Sequence, residues 1–314
     1  VSDMITTAPI DRILHGDCRE VLRSIGNDYF SACITDPPYN YEFVGRNWDT
    51  AEIDRRINRV QDSKTLVKNI PYGSGLAGGV RNKRWYQRVR ENIVDYQAWC
   101  AEWGREVYRT LRPGAFVLVF NSTRTVAHVQ VALEDAGFYA RDILVYRRHA
   151  GIPKGLNAAR KLQALGEEDW ESWEGWHSCL RNEWEAICVL QKPLIDNYIT
   201  TIRQHKVGLL NAEMTGTGFL SNVLEGFRKE QSDDVDGHCT VKPLALMKHL
   251  VKLTVPNNDE HIILDPFAGS GTTCLAAKEL RHHFVGIEIN ASYVSIADDR
   301  IRQAGTGQKS LFSE

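Results

Sequence analysis

A short apolar run, His261–Leu264, leads directly into Asp265-Pro266-Phe267-Ala268-Gly269-Ser270-Gly271-Thr272-Thr273, and a helical pattern then continues from Thr272 to Leu280. No other feature restricts the fold as strongly. A strand, a glycine-bearing turn and a helix in immediate succession make the first half of a βαβ unit, and a further strand at Phe284–Ile289 supplies the second. Gly269 and Gly271 let backbone approach a ligand closely, and the helix start offers N–H groups without helical partners. Glu288 sits at the end of the second strand, where a carboxylate can accept hydrogen bonds from ribose hydroxyls. The turn is not a nicotinamide fingerprint, because Cys274 stands where GxGxxG requires its third glycine. No GxxxxGK[ST] occurs, and Ala268 and Thr272 flank Ser270 where a nucleophile elbow needs glycines. A nucleoside bearing little or no phosphate fits, S-adenosylmethionine for example. Taken alone, the turn is equally compatible with a ligand-free junction.

The rest of the chain repeats the alternation. Strands are expected at Arg12–Gly16, Phe30–Thr35, Ala115–Phe120, Arg141–Tyr146 and Glu185–Leu190, and helices at Arg19–Ser24, Tyr96–Leu111, Thr123–Ala136, Pro243–Val255 and Ala291–Gln303. This order predicts an α/β protein with a mostly parallel sheet covered by helices on both faces. Two stretches break the pattern. Residues 41–95 lack a convincing period, and 150–237 is loop-rich with Trp170, Trp173, Trp176 and Trp184 clustered in it. The tryptophans are expected to pack a small lobe.

Asp36-Pro37-Pro38-Tyr39 follows the apolar strand Phe30–Thr35. Two prolines cannot continue a strand ladder, so the backbone is stiff and its carbonyls are free to accept. An acid, a carbonyl and an aromatic ring this close together suit an exocyclic amine on a planar ring: the ring stacks on Tyr39 while Asp36 and the Pro37 carbonyl take the N–H groups. A rigid turn without function is the alternative for this tetrad by itself.

Charge points to the partner. The 314-residue chain carries a net charge of −2, which by itself speaks against nucleic acid. Residues 55–90, however, hold ten Lys/Arg against one acid, a local +9 that leaves −11 elsewhere. Such a segment can follow a phosphate backbone, or it can be a solvated loop. No apolar run reaches the ~18–20 residues of a membrane span, and the opening stretch has no secretory apolar segment. Seven cysteines without a CxxC pair argue for reduced thiols in a cytoplasm, with no metal assigned.

With these motifs together, the chain resembles the amino-group DNA methyltransferases that use S-adenosylmethionine, of the N6-adenine/N4-cytosine type. The resemblance runs through LHGDCREVL at 14–22, DPPYN at 36–40, LRPGAFVLVF at 111–120, VKP at 241–243, LDPFAGSGTT at 264–273 and GIEINASYVSIADDRI at 286–301. The catalytic motif precedes the cofactor motif, as in the circularly permuted β class. The resemblance implies a Rossmann-like methyltransferase fold, permuted, with a target-recognition insertion. The catalytic domain would comprise 1–149 and 238–303, with a basic loop at 41–95, a recognition region at 150–237 and a tail at 304–314. It makes Asp36, Pro37, Pro38 and Tyr39 the catalytic tetrad. Asp265, Phe267, Ala268, Gly269, Gly271 and Thr272 would form the cofactor loop, with Glu288 on the ribose, Asp17 near the adenine and Lys242 near the methionine end. The family often has HPTxKP where this chain reads His238-Cys239-Thr240-Val241-Lys242-Pro243. Double-stranded DNA is the implied partner, with Arg81, Lys83, Arg84, Arg88, Lys154 and Arg160 as candidate contacts. Association with a restriction endonuclease and homodimerisation are further expectations. N6-adenine methylation is the leading reading, because the family often begins this tetrad with Ser for cytosine. N4-cytosine methylation, RNA or protein-glutamine methylation, and an inactive DNA-binding module are the alternatives.

Overall fold

A computed structural model describes residues 10–38, 83–148, 155–216, 218–230, 233, 241–257 and 261–304. Tyr39, Arg81, Lys154, the basic stretch before Lys83, Cys239 and the tail from 305 lie outside the described residues. The chain divides into two compact units. One comprises Val1–Tyr39, Tyr96–Arg147 and Glu185–Glu314, and the other Asn40–Asp95 and Arg148–Trp184. Residues 185–237, expected with the recognition region, thus cluster with the first unit.

The first unit is built on an eight-stranded sheet in the order β1-β8-β7-β2-β3-β5-β4-β6. The strands are β1 (Arg12–His15), β2 (Phe30–Thr35), β3 (Leu111–Asn121), β4 (Tyr139–Arg147), β5 (Trp184–Gln191), β6 (Val223–Leu224), β7 (Ile262–Asp265) and β8 (His283–Glu288). Helices α1 (Cys18–Arg23), α2 (Lys83–Thr110), α3 (Val126–Asp135), α4 (Ala158–Leu165), α5 (Tyr198–His205), α6 (Leu244–Thr254), α7 (Thr272–Glu279) and α8 (Ala291–Gln303) complete the described elements. β1, β8, β7, β2 and β3 run parallel, whereas β5 is antiparallel to β3.

Every residue of β2 is buried, because the strand has a neighbour on each side and apolar cover on both faces. Ala32, Ile34, Phe116, Leu118 and Ile263 share a core with Leu246 and Leu250 of α6 and Leu275 and Ala276 of α7. Cys33, Val117, Val119 and Leu264 alternate with them, point to the opposite face and are equally buried. From β7 the chain proceeds outward to β8, and from β2 it proceeds the other way to β3. The winding therefore reverses between β7 and β2, which opens a crevice beyond their carboxyl ends.

Two local outcomes differ from the sequence reading. Pro113-Gly114, expected as a break between helix and strand, lies inside β3, and the helix has already ended at Thr110. The pairing moves from Phe30↔Leu111 to Ala32↔Phe116, so extra residues are absorbed as a bulge. Gly114 has φ +83°, and a Cβ there would lie 2.6 Å from Thr201 Cγ2. Helix α2 begins at Lys83 rather than Tyr96, because its first turns are too polar to show an apolar stripe. The stretch 150–237 also holds α4 and α5. Asn157 and Asn197 cap them by accepting from Arg160 N and Thr200 N, and left-handed Gly166 and Lys206 close them. At eight residues each, they are too short for periodicity to reveal.

Candidate active site

Four adjacent parallel strands each deliver an acid to the same edge of the sheet. Asp17 follows β1, Glu288 ends β8, Asp265 ends β7 and Asp36 follows β2. The register places His15 opposite Glu288, and Gly16 N donates to Glu288 O at 2.9 Å, so the ends of β1 and β8 are level.

Asp17 caps α1, accepting from Arg19 N at 2.9 Å, and its Oδ2 pairs with the Arg19 guanidinium at 2.7 Å. Partial burial works to raise its pKa, but the Arg19 hydrogen bonds and charge outweigh this and hold the carboxyl below its ordinary value. Glu288 accepts from Gly269 N at 2.9 Å and Asn290 N at 2.8 Å. Burial raises its pKa against the opposing effect of those bonds. The carboxylate therefore links the glycine turn to the start of α8.

Asp265 is 3% exposed. Burial pushes its pKa up to about 6, with hydrogen bonds from Thr273, Thr35 and Phe267 N working in the opposite direction. Asp265 supports the turn from beneath, since its Oδ1 accepts from Phe267 N at 3.1 Å. The turn itself is tight. Gly271 N donates to Ala268 O at 2.8 Å, and Ala268 N to Ile287 O at 2.9 Å. Gly271 has φ +76°, and a Cβ there would sit 2.9 Å from Ala297 Cβ of α8. Thr272 is buried, and its hydroxyl accepts from Arg300 Nη1 at 2.7 Å. The Phe267 ring lies 5.4 Å from both Trp99 and Trp103 of α2, an aromatic backing that no motif foretold.

At the tetrad, Pro37 is buried, whereas Asp36 and Pro38 are partly exposed. The ammonium of Lys242 pairs with Asp36 Oδ2 at 3.0 Å and with Glu185 Oε2 at 2.8 Å, and it lies 4.8 Å from the centre of the Phe120 ring. In the ligand-free chain, therefore, Lys242 sits against the tetrad acid. Glu185 has no motif around it. It reaches this edge because β5 runs antiparallel, so its first residues lie beside the last residues of β3, with Ala186 opposite Asn121. Only an acid opening an otherwise apolar run, Trp184-Glu185-Ala186-Ile187, hinted at it.

The DNA candidates lie apart in the chain. Lys83, Arg84 and Arg88 belong to the first turns of α2, and Arg160 is exposed on α4 in the second unit. The tryptophan cluster is less buried than expected. Trp173 and Trp176 pack edge to face at 6.0 Å but remain 44% and 61% exposed, because they lie on a single 3₁₀ turn and its exit.

A reversing parallel sheet with one antiparallel strand and a ligand-sized turn at the switch point is the architecture of S-adenosylmethionine-dependent methyltransferases. Solved structures agree. A DNA modification methylase from Thermus thermophilus is similar with a TM-score of 0.56 at 18% identity, covering 94% of this chain and 96% of that one. The M1.HpyAVI–SAM complex is similar at 0.53 and 20%, covering 92% and 98%. The PvuII DNA methyltransferase, described as cytosine-N4-specific, is similar at 0.57 and 12%, covering 94% and 92%.

The family model for N6/N4 DNA methylases matches residues 30–299, and the chain belongs to that family. The type II methyltransferase M.HindIII of Haemophilus influenzae is 31% identical over 312 residues, covering 93% of this chain and 95% of that protein. M.HinfI, another type II methyltransferase of Haemophilus influenzae, is 25% identical over 298 residues, covering 94% and 69%.

Proposed function

We propose that this chain methylates the N6 amine of an adenine flipped out of double-stranded DNA, with S-adenosylmethionine as donor. The observation that carries the reading is the position of Asp36. It follows the strand next to Asp265, at the winding reversal where the glycine turn opens. The fit of the cofactor rests on that turn. Gly271 approaches α8 so closely that a Cβ would collide, leaving α7's first N–H groups and Glu288 around a space for a nucleoside.

S-adenosylmethionine supplies a methyl group already activated by its sulfonium. The protein's work is positioning and charge. The target nitrogen must stand about 3–3.5 Å from the methyl carbon, in line with the bond that breaks. An exocyclic amine delocalises its lone pair into the ring. Hydrogen bonds from its N–H groups to Asp36 and the Pro37 carbonyl favour a pyramidal nitrogen and stabilise the positive charge that develops on it. Tyr39, by the family resemblance, stacks the base once it leaves the duplex.

The fold does not distinguish adenine from cytosine, since the cytosine-N4-specific PvuII enzyme shares it. Asp36 favours adenine, because the resembled family often places Ser there for cytosine. Tritiated methyl transfer to unmethylated duplex DNA, followed by nucleoside analysis, decides the base. N6-methyladenosine supports the reading and N4-methylcytidine overturns it. The two type II relatives support a role alongside a restriction endonuclease, and light scattering tests homodimerisation.

A further inference from the structure

We infer that Glu185 is a positioning residue for methyl transfer: through the ammonium of Lys242 it holds the Asp36 carboxylate in place and keeps it a strong acceptor for the target amine. The inference rests on the DNA methylation reading and assigns a residue outside every motif described above.

The geometry is a bridge with one cation between two anions. Asp36 Oδ2 and Glu185 Oε2 lie within 3.0 Å of the same nitrogen, so the two oxygens are under about 6 Å apart. The side chains of Lys242 and Glu185 are only 11% and 10% exposed, which weakens screening by water. The ammonium also lies near the Phe120 ring, on the strand between β2 and β5. Lys242 is fixed from below, because Val241 before it and Leu246 after it are buried.

With Asp36 as its sole partner, Lys242 would form a neutral pair and withdraw the carboxylate's charge from the amine it serves. Glu185 prevents this. It draws the ammonium toward β5 and leaves the three-group cluster with a net negative charge. Three charged groups surround Asp36 from separate elements: Lys242 ahead of α6, Glu185 opening β5 and Asp265 ending β7. Losing Glu185 removes an anion and strengthens the remaining pair. Both effects move Asp36 toward easier ionisation and weaker acceptance.

The test uses the full chain with Glu185→Gln and Glu185→Asp. Single-turnover methyl transfer and S-adenosylmethionine affinity are measured across pH. The Asp36 carboxyl titration is followed by ¹³C NMR and assigned with Asp36→Asn. Glu185→Gln should lower the single-turnover rate by about 10–100-fold while changing cofactor Kd less than about twofold. Glu185→Asp should recover part of the rate. In Glu185→Gln the Asp36 midpoint should fall by roughly half to two pH units. An unchanged rate and midpoint would overturn the inference. So would a rate loss matched by equal losses of cofactor affinity and thermal stability with the midpoint unmoved, the signature of a purely structural residue. A wild-type chain that methylates no base would defeat the functional reading. The NMR titration would still decide the bridge, a lowered midpoint supporting it and an unmoved one overturning it.

Discussion

The Thr35 hydroxyl donates to Asp265 Oδ1 at 2.7 Å, with both residues buried at the ends of β2 and β7. This bond crosses the seam where the sheet reverses its winding. It ties the strand leading into the tetrad to the strand leading into the glycine turn, although 230 residues separate them in the chain. Asp265 is thereby committed to the protein, where it holds the turn rather than facing solvent.

Asp265 makes stability depend on pH. Burial raises its pKa to about 6 from an ordinary 3.8. An acid raised in this way favours the folded state while protonated, so its contribution is complete below about pH 4 and is lost as pH rises through about 6. Asp265→Asn should therefore be more resistant to urea than the parent at about pH 8, by roughly 1–3 kcal/mol, with the advantage shrinking toward pH 5. A constant difference across that range would contradict the buried, raised carboxyl.

Asp36→Ala should separate chemistry from cofactor binding. Methyl transfer should fall by about 10²–10³-fold or more, while S-adenosylmethionine affinity by titration calorimetry stays within about twofold. Substantial residual activity would remove Asp36 from the role proposed for it.

Gly286 has no room for a side chain. A Cβ there would meet Ile13 Cδ1 at 2.4 Å, Cys274 Sγ at 2.9 Å and Ala268 Cβ at 3.0 Å. Gly286→Ala should cost about 1–3 kcal/mol in urea denaturation and weaken cofactor binding, since Ala268 belongs to the turn. A neutral substitution would show that β1, α7 and the turn can yield.

The basic start of α2 is tested by salt. Changing Lys83, Arg84 and Arg88 together to Ala should weaken duplex binding and reduce the slope of log affinity against log salt by about 3. An unchanged slope would leave these charges without a phosphate partner.

Local sequence carried much of this architecture, because strands, turns and caps are short-range decisions. The run into Asp265, the glycines at 269 and 271, the acid ending β8 and the tetrad after β2 each announce their conformation within about ten residues. Where local signals conflicted or were brief, the reading fell short. Pro113-Gly114 looks like a break but is absorbed as a bulge, and α4 and α5 are too short to display a period.

Which side chains meet was a matter for the tertiary structure alone. Nothing near Glu185 in the chain marks it, yet antiparallel pairing of β5 brings it to Lys242 and, through that ammonium, to Asp36. Thr35 reads as the end of an apolar strand until β7 is placed beside it, and Phe267 as part of a loop until Trp99 and Trp103 pack behind it. The chain by itself determined which chemical groups stand at strand ends, since backbone conformation follows from neighbouring residues. Only the ordering of strands in the sheet decided how those groups pair, because the pairing energy comes from contacts between segments that sequence proximity does not connect.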